Sequence, residues 1–228
     1  MNSDKCLIVF IKYPQAGRVK TRLAQTHGRS LAAGLYRAFV FDVLAGPAKG
    51  DYRLCIFFTP PEKEARIRKL LGDSYEYRPQ QGADLGERMK NAFAVCFSEG
   101  FKSAVLIGSD CPDLPRQRIH DAFAWLEGPC DAVIGPAADG GYYLVGFKND
   151  TFLPDAFHGP HWGGSSVLRQ TTDLLLAAGR RVGRLEPWRD IDTAEDLTDL
   201  VDRSRGTPFA RSRTMAYLRK KGIIPMTT

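Results

Sequence analysis

Residues 103–114 read Ser-Ala-Val-Leu-Ile-Gly-Ser-Asp-Cys-Pro-Asp-Leu, a short apolar run that stops abruptly at Asp110 and Asp113. An unbroken apolar stretch such as 104–107 fits a strand buried on both faces of a mainly parallel sheet, because helices cover both sides of such a sheet. Sheets of this kind hold their ligands outside the carboxyl ends of their strands. Asp110 therefore falls where a ligand would sit. Two carboxylates three positions apart, in a turn stiffened by Pro112, offer hard oxygens to a divalent cation, which in turn neutralises a bound diphosphate. Asp113 has a second reading as the cap of the helix expected from Pro115, since aspartate is a favoured N-cap.

The pattern continues outward. Residues 6–12, 52–59, 75–78, 132–135 and 181–185 read as further strands. A helix is expected over 30–44, where Leu31, Leu35, Phe39 and Val43 recur every three to four residues and Gly46-Pro47 closes the pattern. Others follow Pro60-Pro61 to about Gly72, open within 79–88 and run to about Glu99, and span 115–127 and 167–178. Strands alternating with helices predict an α/β fold, a mixed and mostly parallel sheet with helices on both faces. The chain of 228 residues is read as one domain, 1–228, with a core over about 6–200 and a C-terminal extension at 201–228.

Composition narrows the function classes. With 43% hydrophobic and 25% charged residues the chain has the make-up of a soluble globule. Its longest apolar runs, such as 6–11 and 54–58, are too short to span a bilayer, and no secretory signal opens it, so a cytoplasmic protein is expected. The cysteines (Cys6, Cys55, Cys96, Cys111, Cys130) form no C-x-x-C pair, and their odd number argues for free thiols. A net charge of +6 suits anionic ligands. Base-stacking aromatics are scarce in the basic segment 203–221, so no nucleic-acid partner is expected.

Five further stretches carry chemistry. After the first strand comes Tyr13-Pro14-Gln15-Ala16-Gly17-Arg18-Val19-Lys20-Thr21-Arg22, in which Pro14 and Gly17 bend the backbone and three cations follow within five positions. Such a loop can wrap a polyphosphate with amides and pin it with Arg18, Lys20 and Arg22. It is neither a Walker A loop nor a Gly-x-Gly-x-x-Gly turn. Residues 79–88 carry Gln80 and Gln81, whose paired amide groups suit the edge of a base, with Gly82 and Gly86 allowing close backbone approach; the plain alternative is a loop capped by Asp84. Residues 135–147 hold an Asp139-Gly140-Gly141 turn of hairpin type followed by Tyr142-Tyr143, of which alternation lets one face a pocket, and Tyr142 is preferred. Asp190 and Asp192 share one side of an extended segment before a capping-box-like Thr193-x-x-Asp196, and one of them can complete a metal site begun by Asp110. His161 and Trp162 beside Gly163-Gly164 are candidates for proton transfer and for stacking on a ring, while Ser165 or Ser166 reads as a helix cap. No zinc spacing and no Gly-x-Ser-x-Gly appears.

Taken together, residues 9–23, 81–89, 108–114, 139–144 and 190–197 resemble a family of bacterial GT-A-like nucleotide-diphospho-sugar transferases, some of them labelled radical-SAM/selenodomain-associated transferases. The blocks cover nearly the whole chain in the family's order, with a more distant similarity to phospholactate guanylyltransferase and the molybdenum-cofactor nucleotidyltransferases. The resemblance implies the nucleotide-diphospho-sugar transferase fold, with the nucleotide on its N-terminal half. It implies a nucleotide site of Lys12, Pro14, Gly17, Arg18, Lys20, Arg22, Gln81, Gly82, Gly86 and Asp110. Asp110 and Asp192 correspond to a pair that holds Mg2+ or Mn2+, ahead of Asp113 and Asp190. Asp139, Gly140, Gly141, Tyr142, His161 and Trp162 fall on the acceptor side, and Lys20, Arg22, Asp110 and Asp139 are the expected catalytic groups. In one respect the chain departs from glycosyltransferases of this fold: they usually show Asp-x-Asp, whereas two residues separate Asp110 from Asp113.

The expected reaction is metal-assisted transfer of a sugar from a nucleoside diphosphate to an unknown small acceptor. The alternatives are nucleotidyl transfer from a nucleoside triphosphate to a phosphorylated small molecule, or nucleotide binding without turnover. Nothing in the sequence fixes the oligomeric state.

Overall fold

The structure, a computed structural model, describes residues 3–46, 50–158 and 164–225. The apolar runs form strands β1 (Lys5–Lys12), β2 (Arg53–Thr59), β3 (Glu76–Pro79), β4 (Ser103–Ile107), β5 (Ala132–Pro136), β6 (Tyr142–Lys148) and β7 (Val182–Arg184). They join one sheet in the order β3-β2-β1-β4-β6-β5-β7. β6 runs antiparallel to both β4 and β5, and every other pairing is parallel. The Asp-Gly-Gly hairpin thus turns β6 back into the gap between β4 and β5, which makes the sheet mixed.

Strict alternation along β1 sends Leu7, Val9 and Ile11 into one core and Cys6, Ile8 and Phe10 into the other. The first core lies under α2 (Arg29–Ala45), α3 (Glu64–Leu71), α5 (Arg116–Glu127), α7 (Ala194–Arg203) and α8 (Arg213–Lys220). The second lies under α4 (Leu85–Ser98) and α6 (Val167–Ala177). There Phe93 meets Phe147 edge-on, with ring centroids 5.1 Å apart, a favoured aromatic geometry. All five cysteines are free thiols. Among the described residues no helix is long and apolar enough to cross a membrane.

Two helices have no counterpart in the pattern of expected elements. α1 (Thr21–His27) buries only Leu23, so it leaves no apolar stripe to read. α8 starts in the C-terminal extension at Ser212, whose side chain accepts from Met215 N at 3.1 Å, and it docks on α2. Asp42 of α2 accepts from the main-chain nitrogens of Arg213 and Thr214 at 3.0 and 2.7 Å. The Tyr217 ring fills the space that a side chain at Gly34 would take.

At the far end of the sheet from the loops, Asp131 fixes the start of β5 to the segment before β7. Its carboxylate accepts from Arg181 N at 2.9 Å, Nε at 3.1 Å and Nη2 at 3.0 Å. These bonds hold its pKa down at about 2, below the ordinary 3.8. A depressed acid stabilises the fold above its unfolded pKa and loses that contribution as pH falls through the folded one. D131N is therefore expected to cost about 1 kcal/mol near neutral pH, the scale of a well-formed but solvent-accessible ion pair. Urea unfolding from about pH 6 down to about pH 2 checks this, since the gap to the wild type closes over the last two units.

Candidate active site

The residues of interest are gathered by how far the strands run. Val9 pairs with Ile107, so β1 continues to Lys12 while β4 ends, and the loop after β1 overhangs Gly108–Asp110. Tyr36 of α2 locks this overhang. Its hydroxyl accepts from Lys12 N at 3.0 Å and bonds Ser109 Oγ at 2.6 Å. Burial first, and the Asp110 charge second, push the Tyr36 phenol up to about 12, so it stays protonated. The third piece arrives from the segment before α7: Ile191 N donates to the Asp110 carbonyl at 2.9 Å, stitching 190–192 to the end of β4. The predicted capping box is present, with Thr193 Oγ1 accepting from Asp196 N and Asp196 Oδ2 accepting from Thr193 N at 2.8 Å. That same Oδ2 accepts from Asp192 N at 3.0 Å, which fixes the direction of Asp192.

Lys20 is the residue on which these pieces close. It is the one non-glycine residue with positive φ among the described residues (φ 47°, ψ 49°), a conformation that costs roughly 1–2 kcal/mol. Its side chain, 2% exposed, runs inward past Phe39, with Nζ 5.7 Å from the ring centroid. The ammonium pairs with Asp110 Oδ1 and, at 2.9 Å, with Asp192 Oδ1; Arg22 from α1 takes Asp192 Oδ2. Burial pulls the Lys20 pKa down, but the two carboxylates outweigh it and raise it, so the charge persists. Burial likewise works to raise Asp192, and Lys20 and Arg22 overcome it and hold the carboxyl below its ordinary range. At Asp190 the balance falls the other way, Lys20 being too weak an influence to offset the rest. Burial, then the neighbouring charges of Asp139 and Asp192, push it up to about 6.

These groups border a cavity of about 560 Å³, within the range of small-molecule sites. Lys12, Arg18, Lys20 and Arg22 line it on the side of the β1 loop, and Asp110, Asp190 and Asp192 line it below. Asp139, Gly141 and Tyr142 reach it from the hairpin, where Asp139 Oδ1 accepts from Gly141 N at 2.9 Å. Gly140 stands behind this turn, its carbonyl accepting from Leu168 N at 3.0 Å. Pro14 and Gly17 shape the β1 loop and Gly86 is buried in the first turn of α4, and none of the three borders the cavity. His161 and Trp162 lie outside the described residues.

Several expectations are revised. Asp113 neither caps α5 nor turns toward Asp110: Pro115 holds the N-cap position without a side-chain bond, and the Asp113 carboxylate pairs with Arg203 Nε at 2.8 Å and Trp188 Nε1 at 3.3 Å. Its place is a tether between the β4 turn and α7. Gln81 borders a separate depression beside Asn91, while Gln80 borders the main cavity and spends its amide on the carbonyls of Ile11 and Phe57 at 3.3 and 3.0 Å. Asp84 does cap α4, accepting from Glu87 N at 2.9 Å. Ser166 holds the N-cap position of α6 with no side-chain cap bond. Tyr142 and Tyr143 do pack on opposite cores, yet both border the cavity, because it opens past the strand ends and reaches both sides of the sheet. Arg88, Tyr36 and Ser109 also border it and went unrecognised in the sequence. Arg88 sits four residues after its helix cap, in what reads only as a polar helix start.

Comparison with known proteins follows the same lines. A crystal structure named "putative nucleotide-diphospho-sugar transferase" from Desulfovibrio desulfuricans G20 is 42% identical over 97% of this chain and 96% of that one, with a TM-score of 0.93. CMP:2-keto-3-deoxy-manno-octonic acid synthetase complexed with CTP matches at 10% identity over 87% and 97% of the two chains, TM-score 0.53. Rv0371c from Mycobacterium tuberculosis H37Rv, in complex with manganese, matches at 16% identity over 87% and 98%, TM-score 0.50. The last two likenesses speak for the fold alone. No curated protein matches the sequence. The model of the family described as "Uncharacterized protein conserved in bacteria (DUF2064)" matches residues 43–164, more than half of the chain, and the chain belongs to that family.

Proposed function

We propose that this chain is a nucleotide-dependent transferase, of the radical-SAM/selenodomain-associated type, that holds a nucleoside diphosphate-sugar across the carboxyl edge of its sheet and passes the sugar to a small acceptor in the cytoplasm. One observation carries the reading: a buried ammonium, Lys20, lies between Asp110 and Asp192 beside Arg22 on the wall of the cavity at that edge. When the sugar–phosphate bond breaks, negative charge gathers on the departing diphosphate. Lys20 and Arg22 are held in place before that charge forms, which is how electrostatic preorganisation lowers a barrier. On the acceptor side Asp139 keeps one oxygen outside its turn bond and can take the acceptor's proton, with Gly140, Gly141 and Tyr142 of the same hairpin beside it. Lys12 and Arg18 would enclose the phosphates, on a loop that Pro14 and Gly17 shape.

The carboxylates of Asp110 and Asp192 are hard oxygen donors, and magnesium commonly takes one or two protein carboxylates. Among the described residues no group of three His, Cys, Asp or Glu side chains is arranged around one point, so the pair would act with phosphate and water. Bound there, Mg2+ or Mn2+ would supply further neutralisation of the leaving diphosphate.

Nucleotidyl transfer is the second reading, favoured by the fold shared with a synthetase that binds CTP. A thermal-shift panel of nucleotide sugars and nucleoside triphosphates, with and without Mg2+ or Mn2+, tests both. A ligand at about 100 times its Kd adds about 2.7 kcal/mol of stability. Release of a nucleoside diphosphate from the stabilising sugar donor supports the first reading, and release of pyrophosphate from a triphosphate selects the second. Binding without turnover of any donor leaves a nucleotide-binding protein, and no shift with any ligand contradicts all three.

A further inference from the structure

The basic residues around the cavity divide into two kinds. Lys20 and Arg22 are already neutralised by Asp110 and Asp192. Lys12, Arg18 and Arg88 pair with no carboxylate among the described residues. Lys12 and Arg18 are exposed, whereas Arg88 is half-buried. A partly desolvated cation without a counter-charge is a cost that a bound anion removes.

The local structure holds Arg88 in one direction. Its Nε donates to the Gly82 carbonyl at 3.1 Å, which leaves both terminal nitrogens without a partner among the described residues. Those two nitrogens form the flat fork that suits phosphate oxygens. Gly82 has φ 142°, and a Cβ there would stand 2.7 Å from Arg88 N and from Glu87 Cβ. The turn is latched from both sides, since Glu87 N donates to Asp84 and the Glu87 carboxylate accepts from Ala83 N at 2.8 Å. Arg88 N donates in turn to the Asp84 carbonyl at 3.1 Å. Leu85 and Met89 of the same helix add apolar wall to the cavity.

We propose that Arg88 is an anion-binding residue of this cavity that takes a phosphate of the donor nucleotide, with Gly82 as its positioning residue. The inference rests on the reading of the cavity as a nucleotide site. Isothermal calorimetry of UDP, CDP, ADP and GDP against the wild type identifies the diphosphate that binds most tightly, and that probe is carried to the variants. R88A is expected to weaken it about tenfold or more, R88K to recover part of the loss, and the dependence of affinity on salt to become shallower in R88A. G82A, with Arg88 intact but its anchor displaced, is expected to weaken the same probe while thermal melts show both variants folded. Equal affinity in R88A and wild type, or a loss in R88A with unchanged salt dependence, overturns the assignment of Arg88. A wild type that binds none of the four diphosphates instead overturns the nucleotide reading beneath it, so the two failures are separable.

Discussion

K20M is expected to lower the free energy of unfolding by about 2 kcal/mol and, on the proposed function, to reduce turnover of the nucleotide donor about a hundredfold or more. Removing one partner of a buried ion pair commonly costs 3–5 kcal/mol, because the other charge is left desolvated. Here the cost falls below that range. Asp110 is 52% exposed and rehydrates, and Asp192 keeps Arg22. Relief of repulsion between the carboxylates gives the check. In the K20M background, D110N is expected to restore part of the lost stability, whereas in the wild type it lowers it. A double-mutant cycle measured by urea unfolding would show this as a coupling energy of about 1 kcal/mol or more. Additive effects would mean that Lys20 and Asp110 do not interact in solution.

The second large effect is expected at the hairpin. Gly140 has φ 90°, and a Cβ on it would lie 2.1 Å from the Ser165 carbonyl oxygen, a backbone atom that cannot swing aside. G140A is therefore expected to cost about 3 kcal/mol, from overpacking together with a left-handed backbone imposed on an L-residue. The turn also aims Asp139 and carries Tyr142 to the cavity. Transfer to the acceptor should fall more than donor binding does, and separate measurements of donor affinity and of turnover read the difference. Wild-type melting and turnover in G140A would show that the hairpin and the segment before α6 do not meet as described.

Much of this architecture was legible in the sequence, for identifiable reasons. The run 104–107 is apolar at every position, as a doubly covered strand requires, and β4 lies at the middle of the sheet with Asp110 just past its end. The capping box at Thr193 and Asp196 is local chemistry and reads directly from spacing. What escaped depends on tertiary packing. Asp113 and Arg203 are ninety positions apart, and only the packing of α7 on the β4 turn pairs them. Gln80 and Gln81 read as a pair in the sequence, but in extended chain one step reverses the side that a residue faces, so Gln80 alone borders the main cavity. The left-handed backbone of Lys20 had no sequence signal, since glycine is the residue that ordinarily advertises it. α8 was missed because its partner face on α2 is formed by Gly34 and Asp42, residues remote in sequence that carry no pattern of their own.

The central claim, that Asp110 and Asp192 with Lys20 form one nucleotide-handling centre, is tested most directly by calorimetric titration of the stabilising donor nucleotide into wild type and D110A, each with and without Mg2+. The account predicts that Mg2+ strengthens binding to the wild type and has no effect on D110A, which melts cooperatively but binds the donor more weakly. Donor affinity in D110A equal to that of the wild type, with the same response to Mg2+, would contradict it.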